Sequence, residues 1–359
     1  MHTTHPVIEV DDSNPISSAA NQAKSSRHNE ASLYPLTDEL SHLLSDTLKA
    51  HLRSVKRFRL STEGQSDLCY EMIGDFTEPK PCLVLANGLG GRLYTWLPII
   101  ESLAAEINII TWDYRGLFDS QGEHAAQDLS IPQHANDLFM ILQLHQVSEV
   151  HLIGWSMGVQ VSLEFTARHQ DMVKSLILLN GSYGQVFSTA FQPWFRLPLP
   201  TWTLHGVVES LKEKEWITRL GLKGASVPFE VLFQLRQLLV WMSRQKKRPF
   251  LTLAARQYCR DLFAGEHLSA YLSLFQHLDA HSVYHLLPQI QTPTLVISGG
   301  LDFLTPSYQS KQIARRLPNA THTQVRLASH FVLIERPQKL VTMVRDHLKK
   351  SDPRVLSTN

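Results

Sequence analysis

An α/β fold is predicted for this chain of 359 residues: a mostly parallel sheet with helices on both faces. Two observations carry that expectation. Short apolar runs of strand length alternate with longer stretches of helical spacing, the pattern of strands joined by crossover helices. The runs are also apolar throughout rather than alternating, as strands buried on both faces must be. A third observation organises the rest. The apolar run 150–153 joins a helix-compatible stretch, 159–169, through Gly154-Trp155-Ser156-Met157-Gly158.

That junction is Gly-x-Ser-x-Gly, a sharp strand-to-helix turn that lifts a serine hydroxyl above a sheet. Gly154 and Gly158 remove side chains where the backbone passes close to itself. Ser156 then stands at a helix N-terminus. There the N–H of Met157, with the helix dipole, can stabilise a developing oxyanion.

Taken in order, residues 1–33 are polar and read as a flexible tail. From 37 to 57, Leu40, Leu43, Leu44, Leu48, Leu52 and Val55 recur at helical spacing, with Lys49, Arg53, Lys56 and Arg57 at the end. This predicts an amphipathic helix packed on its own domain, and supports peripheral membrane contact only weakly. Strands are expected at 57–61, 68–73, 82–86 and 107–112, a helix at 131–146, then the central strand and a further strand at 174–179. From 185 to 287 the strand rhythm stops. Helical patterns take over, with Trp194, Trp202, Trp216 and Trp241 among them. Strand 294–298, helix 306–316, strand 324–327 and helix 337–349 follow. The expected organisation is therefore tail 1–33, core 34–184, helical cap 185–287, core 288–350 and polar tail 351–359.

Composition bounds the function. A formal net charge of +1 supplies no field to recruit nucleic acid, so no such partner is expected. Cys69, Cys82 and Cys259 are too scattered for a disulfide framework or a metal pattern, which fits a reducing compartment. No signal-peptide pattern opens the chain. The longest apolar stretch, 190–208, is broken by Pro193, Arg196, Pro198 and Pro200, so no transmembrane segment is expected. A cytoplasmic location is the expectation. No metal site is expected. The basic run 244–248 reads as a solvated helix end.

Over about residues 55–350 the chain resembles the α/β-hydrolase fold superfamily, and most closely its capped branch of esterases, lipases, thioesterases and carbon–carbon-bond hydrolases. The resemblance rests on the Ser156 elbow, the turn Gly299-Gly300-Leu301-Asp302 after a late strand, and His330 before Glu335-Arg336-Pro337. It implies a catalytic triad of Ser156, Asp302 and His330 in that chain order. The strand one earlier ends Leu179-Asn180-Gly181 without a carboxylate, which favours Asp302 as the acid. The loop Asn87-Gly88-Leu89-Gly90-Gly91 matches the family's oxyanion loop, with Asn87 where histidine is usual. It implies Leu89 N–H and Met157 N–H as the oxyanion hole. Asp113 and Arg115 match a structural motif of the family, with Phe118 where glycine is usual. Trp155, Trp194 and Trp202 are candidates for an apolar substrate pocket.

The function implied is a serine hydrolase of a carboxylic ester or thioester with an apolar acyl part, needing no cofactor. Acyl transfer and carbon–carbon cleavage would use the same triad, and a non-catalytic binding module could retain the same fold.

Overall fold

All residues of β3 (Cys82–Ala86), β4 (Asn108–Trp112) and β5 (Val150–Trp155) are buried, as the unbroken apolar runs require. They are the middle of an eight-stranded sheet seen in a computed structural model, which describes residues 44–62, 66–120, 128–189, 201–214, 216, 218, 220–221, 249–264 and 267–355. The remaining strands are β1 (Lys56–Thr62), β2 (Ser66–Ile73), β6 (Val173–Leu179), β7 (Thr294–Gly299) and β8 (Ala320–Val325). Their order is β1-β2-β4-β3-β5-β6-β7-β8. β1 and β2 form an antiparallel hairpin, β2 runs antiparallel to β4, and every later pairing is parallel.

This order has a reversal at β3. The chain steps from β3 to β4 on one side, then crosses back to β5 on the other. Loops leaving the carboxyl ends of β3 and β5 therefore diverge, and open a crevice at that edge of the sheet.

Strand alternation divides the core in two. Val84, Leu152, Leu176 and Leu178 face a layer with α3 (Ile131–Leu144) and α4 (Met157–Arg168). Leu83, Leu85, Ile153, Ile177 and Leu179 face the opposite layer. That layer holds α1 (Asp46–Arg53), α2 (Leu97–Leu103) and the long C-terminal helix, Pro337–Ser351.

Between β6 and β7 the described elements are all helical: α5 (Val186–Thr189), α6 (Thr201–Glu213), α7 (Pro249–Ala264) and α8 (Leu268–Ala280). The last of these is anchored to α4. Gln160 Nε2 donates to Leu278 O (3.0 Å), and His281 Nε2 lies 2.9 Å from Glu164. After β7 come α9 (Ser307–Arg316), α10 (Val332–Glu335) and α11 (Pro337–Ser351). Among the described residues no helix is long and apolar enough to cross a membrane.

Three expectations need correction. The N-terminal helix does not run through 37–57. Ser45 caps it, its Oγ accepting from Leu48 N at 3.1 Å, so the helix begins at Asp46 and ends at Arg53, with Lys56 and Arg57 already in β1. Residues 37–43 lie outside the described ones. The last strand is Ala320–Val325 rather than 324–327. It is an edge strand of Thr, His and Gln in which only Val325 is buried, so hydrophobic reading found only its end. The C-terminus is not a free polar tail as far as Val355, which is buried, while Arg354 grips Asp352 and Glu149.

Candidate active site

Ser156 sits between β5 and α4 with φ 56° and ψ −115°, in the left-handed region that L-residues avoid. The flanking glycines show why the turn tolerates nothing larger. A Cβ on Gly154 would fall 2.3 Å from Gly158 O, and one on Gly158 would fall 2.2 Å from Ala86 O. The elbow is locked from behind by Ser156 N donating to Leu179 O at 2.9 Å. Met157 is the first residue of α4, so its N–H has no partner within the helix.

Asp302 follows β7, and His330 lies between β8 and α10. The sheet brings all three side chains together. His330 Nε2 is 2.9 Å from Ser156 Oγ, and His330 Nδ1 is 3.0 Å from Asp302 Oδ2. Asp302 Oδ1 also accepts from the backbone N–H groups of Leu304 (3.0 Å) and Thr305 (2.9 Å). Burial alone would raise the Asp302 carboxyl. His330, together with the hydrogen bonds from His330 and Thr305, outweighs it and holds the group below its usual value. The anion in turn fixes a proton on Nδ1, which leaves Nε2 free to accept one. The histidine's own loop is stapled by Glu335, which accepts from Ser329 N (2.6 Å) and Ser329 Oγ (2.9 Å).

The model of the alpha/beta hydrolase fold family matches residues 81–337 of this chain. The chain belongs to the α/β hydrolase fold family. It is 25% identical over 283 residues to a protein of Agrobacterium fabrum named "Putative carbamate hydrolase RutD", covering 79% of this chain and 98% of that one. The enol-lactonase of Burkholderia xenovorans superposes with a TM-score of 0.62 at 23% identity, over 81% of this chain and 99% of its own. A thermophilic esterase of Thermogutta terrifontis gives 0.59 at 21%, over 82% and 99%. The last two likenesses are likenesses of fold.

Within this α/β hydrolase, the loop carrying Leu89 lies beside the elbow, since Gly158 packs on the carbonyls of Ala86 and Asn87. Asn87, where the resemblance expects histidine, is hydrogen-bonded through both atoms of its amide. Its Nδ2 donates to Trp112 O (2.7 Å) and Thr111 Oγ1 (3.2 Å), and its Oδ1 accepts from Trp96 Nε1 (2.7 Å). Tyr258 of α7 donates to Leu89 O at 2.7 Å, so a helix of the 185–287 segment touches the loop directly.

Trp155, one of the pocket candidates, has a fully buried side chain. It is a strut: Nε1 donates to His330 O at 3.0 Å, and the ring fills the space over Gly88. Trp194 lies outside the described residues. Trp202 is on α6, with its side chain outside what the structure describes. Arg115 forks onto Asp137 in the core and Asp113 pairs with Arg92, both structural as read from sequence. Cys69, Asp113 and Asp119 lie close enough together to suggest a metal. Arg92 already bonds both carboxylates, and burial pushes the Cys69 thiol far up. Phe118, where the resemblance expects glycine, has φ 50°, and Arg92 covers its ring at 4.4 Å.

Sequence reading missed Thr305 and Asn180. Thr305 Oγ1 lies 2.7 Å from Asp302 Oδ2, and Asn180 Nδ2 donates to the same oxygen. The Asn-Gly pair at 180–181 was a signal of an unusual backbone turn.

Proposed function

We propose that this α/β hydrolase is a serine hydrolase that cleaves a carboxylic ester or thioester with a largely apolar acyl part. The observation that carries the reading is the continuous row Ser156 Oγ–His330 Nε2–Asp302, at 2.9 and 3.0 Å. His330 takes the proton of Ser156 as its oxygen attacks the carbonyl carbon. The oxyanion rests on the N–H groups of Met157 and Leu89. His330 then passes the proton to the leaving group, and water repeats the cycle to release the acid and free Ser156. These residues supply nucleophile, base and oxyanion donors, so the reaction calls on no cofactor or metal. Carbamates and enol-lactones, the substrates named for two relatives, also react at an acyl carbon, which agrees with this reaction class.

We read residues 185–287 as a cap forming one wall of the pocket. The bond from Tyr258 to Leu89 O supports this, because it brings α7 onto the catalytic edge. The packing of Tyr258 on Trp155 and Phe331 makes that wall aromatic. A cytoplasmic location belongs to the same reading, supported by the scatter of Cys69, Cys82 and Cys259 along the sequence, which suits no disulfide framework.

The test is hydrolysis of p-nitrophenyl esters of increasing acyl length. Each methylene buried in an apolar pocket contributes about 0.8 kcal/mol, so kcat/KM rises about fourfold per carbon until the pocket is full. A profile flat from acetate to octanoate would contradict the apolar acyl site.

A further inference from the structure

We propose that Asn180 is the positioning residue of the acid: its amide holds the Asp302 carboxylate in place and sets how strongly it acts on His330. The inference rests on the triad reading above and adds a residue to it. Asn180 follows β6, next to the strand that ends in the acid loop, and its N–H donates to Ile297 O at 2.9 Å. Its φ is 46°, left-handed backbone that asparagine tolerates better than most residues. From there the fully buried side chain reaches two loops at once. Nδ2 donates to Asp302 Oδ2 at 2.6 Å and to Ser329 O, just before His330, at 2.9 Å. One amide therefore ties the acid loop to the histidine loop.

Its orientation is unambiguous. Flipping the amide would set Oδ1 against a carboxylate and a carbonyl, three acceptors with no donor between them. As it stands, Oδ1 is buried without a hydrogen-bond partner. An unpaired buried carbonyl is unfavourable, and a residue serving only to fill space would not carry one. The main chain is used as well: Thr305 Oγ1, which also contacts Asp302, lies 2.7 Å from Asn180 O. Glycine could adopt this backbone but would leave the carboxylate without its donor. Aspartate has the shape but would place a second carboxylate there.

The consequence is a graded change in pH dependence. The titratable group that Asn180 touches is Asp302, and His330 is in turn the partner of Asp302. Glu335 reaches them through Ser329, Arg336 lies beyond Leu327 O, and Tyr258 packs on Trp155 and Phe331. Losing the amide donor leaves the anion less compensated, so it binds its own proton more readily and pulls harder on the imidazolium. Both effects move the acid limb of activity to higher pH. A second carboxylate moves it further the same way.

The experiment compares full-length wild type, Asn180→Gly and Asn180→Asp. It measures the second-order rate of inactivation by a fluorophosphonate from pH 5 to 9, kcat and KM for p-nitrophenyl butyrate, and Tm. For Asn180→Gly the expected result is a plateau kcat lower by about tenfold with KM near wild type, as for loss of one hydrogen bond to a charged group. The acid limb moves up by about half a unit in Asn180→Gly and by more than about one unit in Asn180→Asp. Limbs that superimpose on wild type, even with a lowered Tm, overturn the proposal and leave Asn180 a packing residue. If Asn180→Gly does not fold, Asn180→Asp, which exchanges one NH₂ for oxygen, decides by the same limb. Ser156→Ala separates the two levels. If it still reacts with the probe, the triad reading fails. If it is inert while the Asn180 limbs stay fixed, only this inference fails.

Discussion

A serine, a histidine and an aspartate meet at each end of strand β5. At its carboxyl end Ser156, His330 and Asp302 form a hydrogen-bonded row. At its amino end His151 Nδ1 lies 2.8 Å from Ser175 Oγ on β6, and His151 Nε2 lies 3.6 Å from Asp352. The residue types are the same, yet the chemistry available differs. Ser175 sits inside a strand and is fully buried, with no helix N-terminus and no glycine loop above it. Burial, against the opposing pull of Asp352, pushes His151 down to about 4. Asp352 is committed to Arg354, and at 3.6 Å it is too far to bond the ring. Ser156 is partly exposed, held by a strained turn, and set at the head of α4. On the proposed function, the turn, the helix terminus and access distinguish Ser156 from Ser175, since both serines stand beside a histidine.

Breaking each row in turn tests that difference. Ser156→Ala should lower kcat by several orders of magnitude, on the order of 10⁶ in well-behaved triads, with KM largely kept. Ser175→Ala should leave kcat within about twofold of wild type, since a buried hydroxyl in a strand has no route to substrate. Steady-state kinetics on one ester checks both. Asp302→Asn should cost on the order of 10⁴ in kcat by favouring the wrong tautomer of His330. Asp352→Asn should leave kcat near wild type.

The smallest effect concerns stability. In the unfolded chain His151 titrates near its ordinary value, about 6.5, and in the folded chain near 4. Between these values the unfolded state binds a proton that the native state does not. Stability therefore falls as pH drops from about 6.5 toward 4, by up to about 3 kcal/mol from this group. His151→Asn should flatten that part of the urea-denaturation curve against pH, and leave stability above pH 7 without a pH trend of its own.

The row at the carboxyl end of β5 was legible from sequence and the one at its amino end was not, for a physical reason. Gly154, Gly158 and the two apolar flanks of Ser156 announce a sharp turn through local backbone constraints. Asp302 and His330 each follow a strand in the order the fold family demands. His151, Ser175 and Asp352 meet only through sheet register and the fold-back of the C-terminus, which no local pattern records. The same limit hid Asn180, whose amide acts across two loops, and the edge strand β8, whose polar residues carry little apolar signal. The bond from Trp155 Nε1 to His330 O, between residues far apart in the chain, was equally invisible.

Reaction of the whole protein with a fluorophosphonate, followed by intact mass and peptide mapping, tests the central claim most directly. The account predicts one adduct per chain, on Ser156, absent in Ser156→Ala and retained in Ser175→Ala. An adduct of equal yield in Ser156→Ala would contradict it.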